Sequence, residues 1–400
     1  MLTVLFFISF FLSGFDLLDK QGILEILPGF GAAQIVMIIS CMFCVLTRKN
    51  QQSTHHINAF ITFVIFVNIS IIFNTMFLGS KAIGIFEGAR FLYFILILYT
   101  LTNLLTKAEF ENFLIIFSIG CLTSLYKNYS YANIYKEAIE TAGFVQLSAR
   151  NLSGVIITGL TLILFHISQV SNQVTKSWSC YSIILGLSYF IQFTFSKGAW
   201  YSFIFVFIYC VLAYFGKKQK NINANIYKYI GIVVLMSIFS FYIFSKNNEL
   251  KALWKLKNTT HENNSGDTFK HQARIGNMLS SVLIALQRPI IGCGPENWFD
   301  YNEKNKSNLK SFYHPNDNPH SAIFYILSCY GIISFYLYLR FIVKIYDIVE
   351  LKSMKRTNIK MIFLLIFVFH SNLLLQTVSS IYGYIYLSYA FKIKNHTLDK

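Results

Sequence analysis

The stretch YHPNDNPHSAIFYILSCYGIISFYLYLRF, residues 313–341, decides the class of this fold. It begins as polar loop and ends as an apolar run of helical length, and His320 stands at the changeover, directly after Pro319. Asn318 is a favoured N-cap residue and Pro319 suits the first helical position, so a helix is expected to start here with His320 in its first turn. An apolar run of about 20 residues is what a bilayer's hydrocarbon core demands of a spanning helix.

The rest of the chain repeats that pattern. Hydrophobic residues make up 54% of the 400 positions and charged residues 13%, and the mean hydropathy is +0.50, whereas a soluble domain carries about 25% charge. Apolar runs recur near residues 2–15, 31–47, 57–78, 83–105, 110–126, 152–169, 178–196, 198–215, 226–245, 320–342, 358–377 and 379–391. Backbone polar groups inside hydrocarbon must be satisfied within their own segment, so runs this long and this poor in alternation are expected to be helices. The expectation is an all-α, polytopic integral membrane protein of about twelve transmembrane helices. Residues 1–246 would hold helices one to nine, 247–319 one large polar loop, and 320–400 helices ten to twelve with a short tail.

The formal net charge of +16 raises the question of nucleic acid. The Lys and Arg residues, however, are scattered through short connectors and form no stripe, so they read as topology signals and no nucleic-acid partner is expected. With a cytoplasmic N-terminus, the inner connectors gather Arg48, Lys49, Lys107, Lys176, Lys217, Lys218, Lys220, Lys344, Lys352, Lys355, Arg356, Lys392, Lys394 and Lys400, while Lys20, Lys81, Lys127, Lys136, Arg150 and Lys197 lie outside. That excess places both termini in the cytoplasm and the loop 247–319 on the outer face. The opening MLTVLFFISFFLSGFDLLDK lacks a positive leading region and a small-residue cleavage site, so it is read as a first span that is kept. Of the seven cysteines only Cys293 lies outside an apolar run. No disulfide framework is legible, and Cys41-x-x-Cys44 in mid-span reads as packing.

Loops beyond about 15 residues with no structure of their own are usually functional or disordered, and the outer loop does not read as disordered. In ARIGNMLSSVLIALQRP, Ile275, Met278, Leu279, Val282, Leu283 and Leu286 fall at helical spacing and Pro289 ends the run. Too short to span, this segment is expected to be an amphipathic helix opened by Arg274, lying on or dipping into the outer surface. GCGPENW follows as a tight turn, broken by Gly292, Gly294 and Pro295.

Four residues on the outer face carry candidate chemistry: Arg150 in LSARNLSG, Lys197 in TFSKGAW, Arg274, and His320. The positive end of a helix disfavours imidazolium, which would keep the His320 ring neutral near pH 7 and able to take a proton from a hydroxyl. The same ring also suits a polar residue at a membrane interface, and the stretch alone leaves both readings open. Arg274 and Lys197 offer a planar fork and a point charge for phosphate oxygens; each, taken singly, also fits an interfacial anchor that snorkels. His261, His271, His314 and His320 match no metal-ligand spacing, and no phosphate-binding Gly-rich loop is present, so neither metal nor cofactor is expected. The spans are almost uncharged apart from Glu87 and Arg90, three apart on the fourth run, where they are expected to pair.

Taken together, FSKGAW at 195–200, ARIGNMLSSVLIALQRPIIGCGPENW at 273–298 and NPHSAIFYILSCYGIISF at 318–335 resemble the bacterial O-antigen ligase and polymerase superfamily. The resemblance implies a metal-independent glycosyltransferase of the inner membrane acting on the periplasmic face. Its donor would be a glycan on undecaprenyl diphosphate and, for a ligase, its acceptor the lipid A-core oligosaccharide. It also implies that His320 is the essential histidine, that Arg274 is the loop arginine before P-x-x-G-x-G, that Lys197 stands where the family carries arginine, and that Gly331 is the glycine downstream of the histidine. Arg150 resembles a further basic residue near the sixth span, so Lys197, Arg274 and Arg150 form the implied diphosphate-binding set and His320 and Arg274 the catalytic pair. The nearest alternative is a polymerase extending lipid-linked repeat units. A lipid-linked sugar transporter would need charges along its spans, which are nearly absent here.

Overall fold

A computed structural model describes residues 2–16, 25–27, 30–48, 55–77, 83–130, 266–295, 297–309, 312–313 and 321–349, together with 385 and 388. Almost all of these residues are helical. The exception is a two-stranded antiparallel ladder, β1 (Glu25–Leu27) with β2 (Phe30–Gly31), which joins the first two helices. Among the described residues three helices are long and apolar enough to cross a membrane: Ile57–Phe77, Ile85–Leu104 and Ile323–Lys344; the other expected spans beyond residue 130 lie outside the described residues.

The chain divides into two compact units. The first comprises Met1–Ser40, Ala108–Lys257 and Met354–Ile366. It contains α1 (Leu2–Asp16), the opening turns of α2 (Ala32–Thr47), and α5 (Lys107–Ser130) from Ala108 onward. Phe6 and Phe10 of α1 close on Phe113 of α5, each with ring centroids 5.4 Å apart, and Phe10 meets Phe110 edge-on at 6.1 Å. Each such pair adds about 1 kcal/mol beyond the area it buries. Hydroxyls in these apolar helices are satisfied locally. Ser13, Ser40 and Ser118 donate to the carbonyls of Ser9, Val36 and Leu114, each four residues back, which is how a serine survives where no water competes.

The second unit comprises Cys41–Lys107, Asn258–Ser353 and Phe367–Lys400. Here α3 (His55–Phe77), α4 (Ile83–Tyr99) and α9 (Ala322–Val349) share an aromatic seam. Phe63 of α3 touches Phe91 of α4 at 5.9 Å and Tyr338 of α9 at 5.5 Å, and Phe60 meets Phe341 at 4.9 Å. Lipid is as apolar as the side chains, so such helices are held by close packing and interhelical hydrogen bonds rather than by water exclusion. A π turn, Thr100–Leu104, ends α4 and is closed by the Leu105 amide donating to the Thr100 carbonyl. Its terminal carbonyl, that of Leu104, accepts from the Arg48 guanidinium at 3.2 Å, a basic group at a helix C-terminus.

The helix expected in the loop 247–319, α6, runs from Gly266 to Gln287. It is followed by α7 (Trp298–Lys304) and α8 (Lys306–Leu309). Two expectations are corrected. Arg274 does not open α6 but lies more than two turns inside it, because the leading residues GDTFKHQA are polar and carry no apolar periodicity to mark the true start. The helix leading on from His320 begins at Ala322, and the Ser321 carbonyl accepts its first intrahelical amide, that of Tyr325, at 2.9 Å. Ser321 therefore sits at the N-cap position, which had been expected at Asn318.

Candidate functional site

The helix α9 is broken at Gly331, whose φ of 78° and ψ of 179° fall outside helical space. A break leaves backbone groups without intrahelical partners, at a cost of about 1–3 kcal/mol for each one left unsatisfied away from water. Here the turn after α6 supplies the missing partners. The amides of Cys293 and Gly294 donate to the carbonyls of Ser328 and Cys329, both at 2.9 Å, and the Ile332 amide donates to the Pro289 carbonyl at 2.8 Å. The turn is thereby stitched into the helix by three main-chain bonds.

Only glycine permits the approach. Gly292 and Gly294 take positive φ, 67° and 83°. A Cβ on Gly292 would lie 2.3 Å from the Cys329 carbonyl carbon, and one on Gly331 would lie 2.2 Å from the Ile290 oxygen. The expected breakers at 292 and 294 are thus confirmed, and Gly331 gains a physical reason to be glycine.

Two further helices hold this clasp. From α3, Ser70 Oγ and Asn74 Nδ2 both donate to the Ile291 carbonyl, at 2.5 and 3.2 Å. From α4, Glu87 Oε1 accepts from the Tyr330 hydroxyl at 2.5 Å and from the Tyr325 hydroxyl at 3.5 Å. Glu87 was expected to pair with Arg90 along its own helix; what the structure shows is its carboxylate accepting from two tyrosines of α9, across more than two hundred residues of sequence. Gly88, beside it, faces Asn68 of α3, whose amide oxygen a Cβ there would meet at 2.5 Å.

The helix α6 is turned with its large apolar residues outward. Ile275, Leu279, Val282 and Leu286 are exposed, Leu286 at 73%, while Gly276, Asn277, Ser280, Ser281 and Ile284 are buried. That inversion fits a helix with an apolar stripe against lipid and small or polar residues against protein. Trp298, wholly buried, sets its indole nitrogen 3.4 Å from Ser281 Oγ. A Cβ on Gly276 would collide with the Phe312 carbonyl, so α6 passes close against the segment that leads on toward His320. Among the described residues, neither amide atom of the fully buried Asn277, nor Ser280 Oγ, has a hydrogen-bond partner. Arg288, expected as a helix C-terminal charge, follows the last residue of α6; its Nε donates to Tyr301 Oη at 3.0 Å.

Of the four candidate residues, Arg274 has its backbone within α6, three residues ahead of Asn277, and its side chain lies outside what is described. Arg150, Lys197 and His320 lie outside the described residues, although Ser321, the next residue after His320, is buried at the head of α9. What the structure does bring together is the turn that follows α6, the helix carrying Arg274, and α9 itself, through the clasp between residues 289–294 and 328–332.

Residues 182–339 match the model of the O-antigen ligase family. The matched stretch contains Lys197, Arg274 and His320, the whole of α6, both partners of the clasp and Gly331, but not Arg150. It supports the O-antigen ligase and polymerase superfamily and a function of that type. No curated protein matches the chain. Sequence reading missed Ser70, Asn74, Tyr325 and Tyr330 as members of this arrangement. A charged residue inside an apolar run was the single signal, at Glu87, and its partners are set by folding alone.

Proposed function

We propose that this protein is an O-antigen ligase, transferring a glycan from undecaprenyl diphosphate to the lipid A-core oligosaccharide at the periplasmic face of the inner membrane. The observation that carries the reading is the family match over residues 182–339, because it takes in Lys197, Arg274 and His320 together.

In this reading the acceptor hydroxyl attacks the anomeric carbon of the donor sugar directly. The new carbon–oxygen bond forms as the bond to the diphosphate oxygen breaks, so the configuration inverts. The His320 imidazole takes the hydroxyl proton, and Arg274 and Lys197, with Arg150 beside them, balance the charge that gathers on the departing undecaprenyl diphosphate. No metal is needed, since two or three cations supply that balance. Lysine at 197 keeps the charge and gives up the bidentate fork of an arginine.

A strain lacking the chain tests the assignment. A ligase predicts that smooth lipopolysaccharide falls to bare core while lipid-linked polymer accumulates. Core carrying a single repeat unit would identify a polymerase instead, and unchanged lipopolysaccharide would reject both.

A further inference from the structure

The first arm of α9, from Ala322 to Tyr330, is tied to α4 at two levels by hydrogen bonds to one carboxylate. Its head is the Ser321 carbonyl, bonded by the Tyr325 amide at 2.9 Å. The hydroxyl of that same Tyr325 donates to Glu87, 3.5 Å away. At its foot Tyr330, directly before the break, donates to the same Glu87 oxygen at 2.5 Å, and the two tyrosine rings stand edge to face at 6.1 Å. Phe91, one turn on from Glu87, meets the Tyr330 ring edge-on at 6.2 Å. The main-chain clasp reaches the Ser328 and Cys329 carbonyls at the foot of the arm and Ile332 beyond the break, and leaves the head of the arm to other contacts. Rotation of the arm about the break is opposed by the two hydroxyl bonds to Glu87. A carboxylate is a costly residue to place in an apolar span and persists where it does work.

We infer that Glu87 is a positioning residue for the transfer reaction, holding the first arm of α9 through Tyr325 and Tyr330 so that His320, one residue ahead of Ser321, meets the acceptor hydroxyl. The inference rests on the assignment of His320 as the base. It assigns Glu87 no contact with substrate. Loss of its two bonds lets the arm turn or shift by a fraction of an ångström to an ångström, and misplacement on that scale lowers the chemical step without weakening binding.

The test is steady-state transfer by detergent-purified protein. The donor is undecaprenyl-diphosphate-linked glycan extracted from cells that lack the chain, and the acceptor is core-only lipopolysaccharide. Glu87→Leu is expected to lower kcat by about 10- to 100-fold with the donor KM within about twofold. Glu87→Gln, which keeps an acceptor oxygen for the tyrosines, should recover most of that loss. Tyr330→Phe, which deletes one hydroxyl and no volume, should fall between them, and it serves as the deciding variant where Glu87→Leu does not accumulate. Native kcat in Glu87→Leu or Tyr330→Phe, beside an inactive His320→Ala, overturns this inference alone. An active His320→Ala at native protein level overturns the assignment of the base and this inference with it. A raised KM at native kcat would make Glu87 a binding residue and also contradict the inference.

Discussion

Gly292 and Gly331 each lie where the other's strand of backbone passes. A side chain on the first would strike Cys329, and a side chain on the second would strike Ile290. Their mutual approach lets the turn after α6 replace the hydrogen bonds that α9 loses at its break. The result is a main-chain joint between the helix that carries Arg274 and the helix that follows His320.

Gly331→Ala is expected to destabilise the protein by roughly 3 kcal/mol or more, since positive φ and a backbone collision act together. Gly292→Ala should do the same for the same reasons. The measurement is the midpoint of thermal aggregation in detergent. Unchanged midpoints for both would mean that the joint does not form.

The joint also buries two thiols, Cys293 and Cys329, both fully enclosed. In a variant with the other five cysteines replaced, they should resist a maleimide in the native protein and react once Gly331 is substituted. Rapid labelling of the unsubstituted joint would show that it opens readily.

Much of this architecture was legible in advance, for definite reasons. The runs 31–47 and 57–78 became Ala32–Thr47 and His55–Phe77 because uninterrupted hydropathy marks a helix to within a residue or two. Pro289 marked the end of α6, which stops at Gln287. The start of α6 was not visible, since its first two turns are polar. Nor was the break at Gly331, which sits inside an apolar run as one small residue among large ones. The links of Glu87 to Tyr325 and Tyr330, and of Ser70 and Asn74 to Ile291, join residues more than two hundred positions apart, and periodicity carries no information at that range. The candidate residues Lys197, Arg274 and His320 were found by local motif, and motif says nothing of the distances between them.

Asn277→Leu separates burial from use. A buried amide without a partner contributes its desolvation cost and little else, so the substitution should leave the thermal midpoint unchanged or raise it. On the proposed function Asn277 stands one turn from Arg274 on the same helix, and transfer at limiting donor should fall about 3- to 10-fold. Unaltered transfer would make Asn277 a packing residue only.

Orientation has its own check. Ser307, exposed on α8, belongs to the loop expected outside, and Thr106, exposed between α4 and α5, to a connector expected inside. Cysteine placed at 307 should react with a membrane-impermeant maleimide in spheroplasts, and cysteine at 106 only after lysis. The opposite pattern would invert the membrane topology and remove the periplasmic site.

Lys197→Arg restores the planar fork and should be tolerated or mildly beneficial, raising transfer at limiting donor by no more than about threefold. Complete loss of activity would mean that the position is shaped around a lysine.

The decisive experiment reconstitutes the purified chain in liposomes with an undecaprenyl-diphosphate-linked glycan of defined anomeric configuration and core-only lipopolysaccharide, and reads the product linkage by NMR. Direct displacement at the anomeric carbon gives a new glycosidic bond of inverted configuration, released undecaprenyl diphosphate, and loss of both in His320→Ala inserted at native level. A product of retained configuration, no new bond at all, or normal transfer by His320→Ala would contradict it.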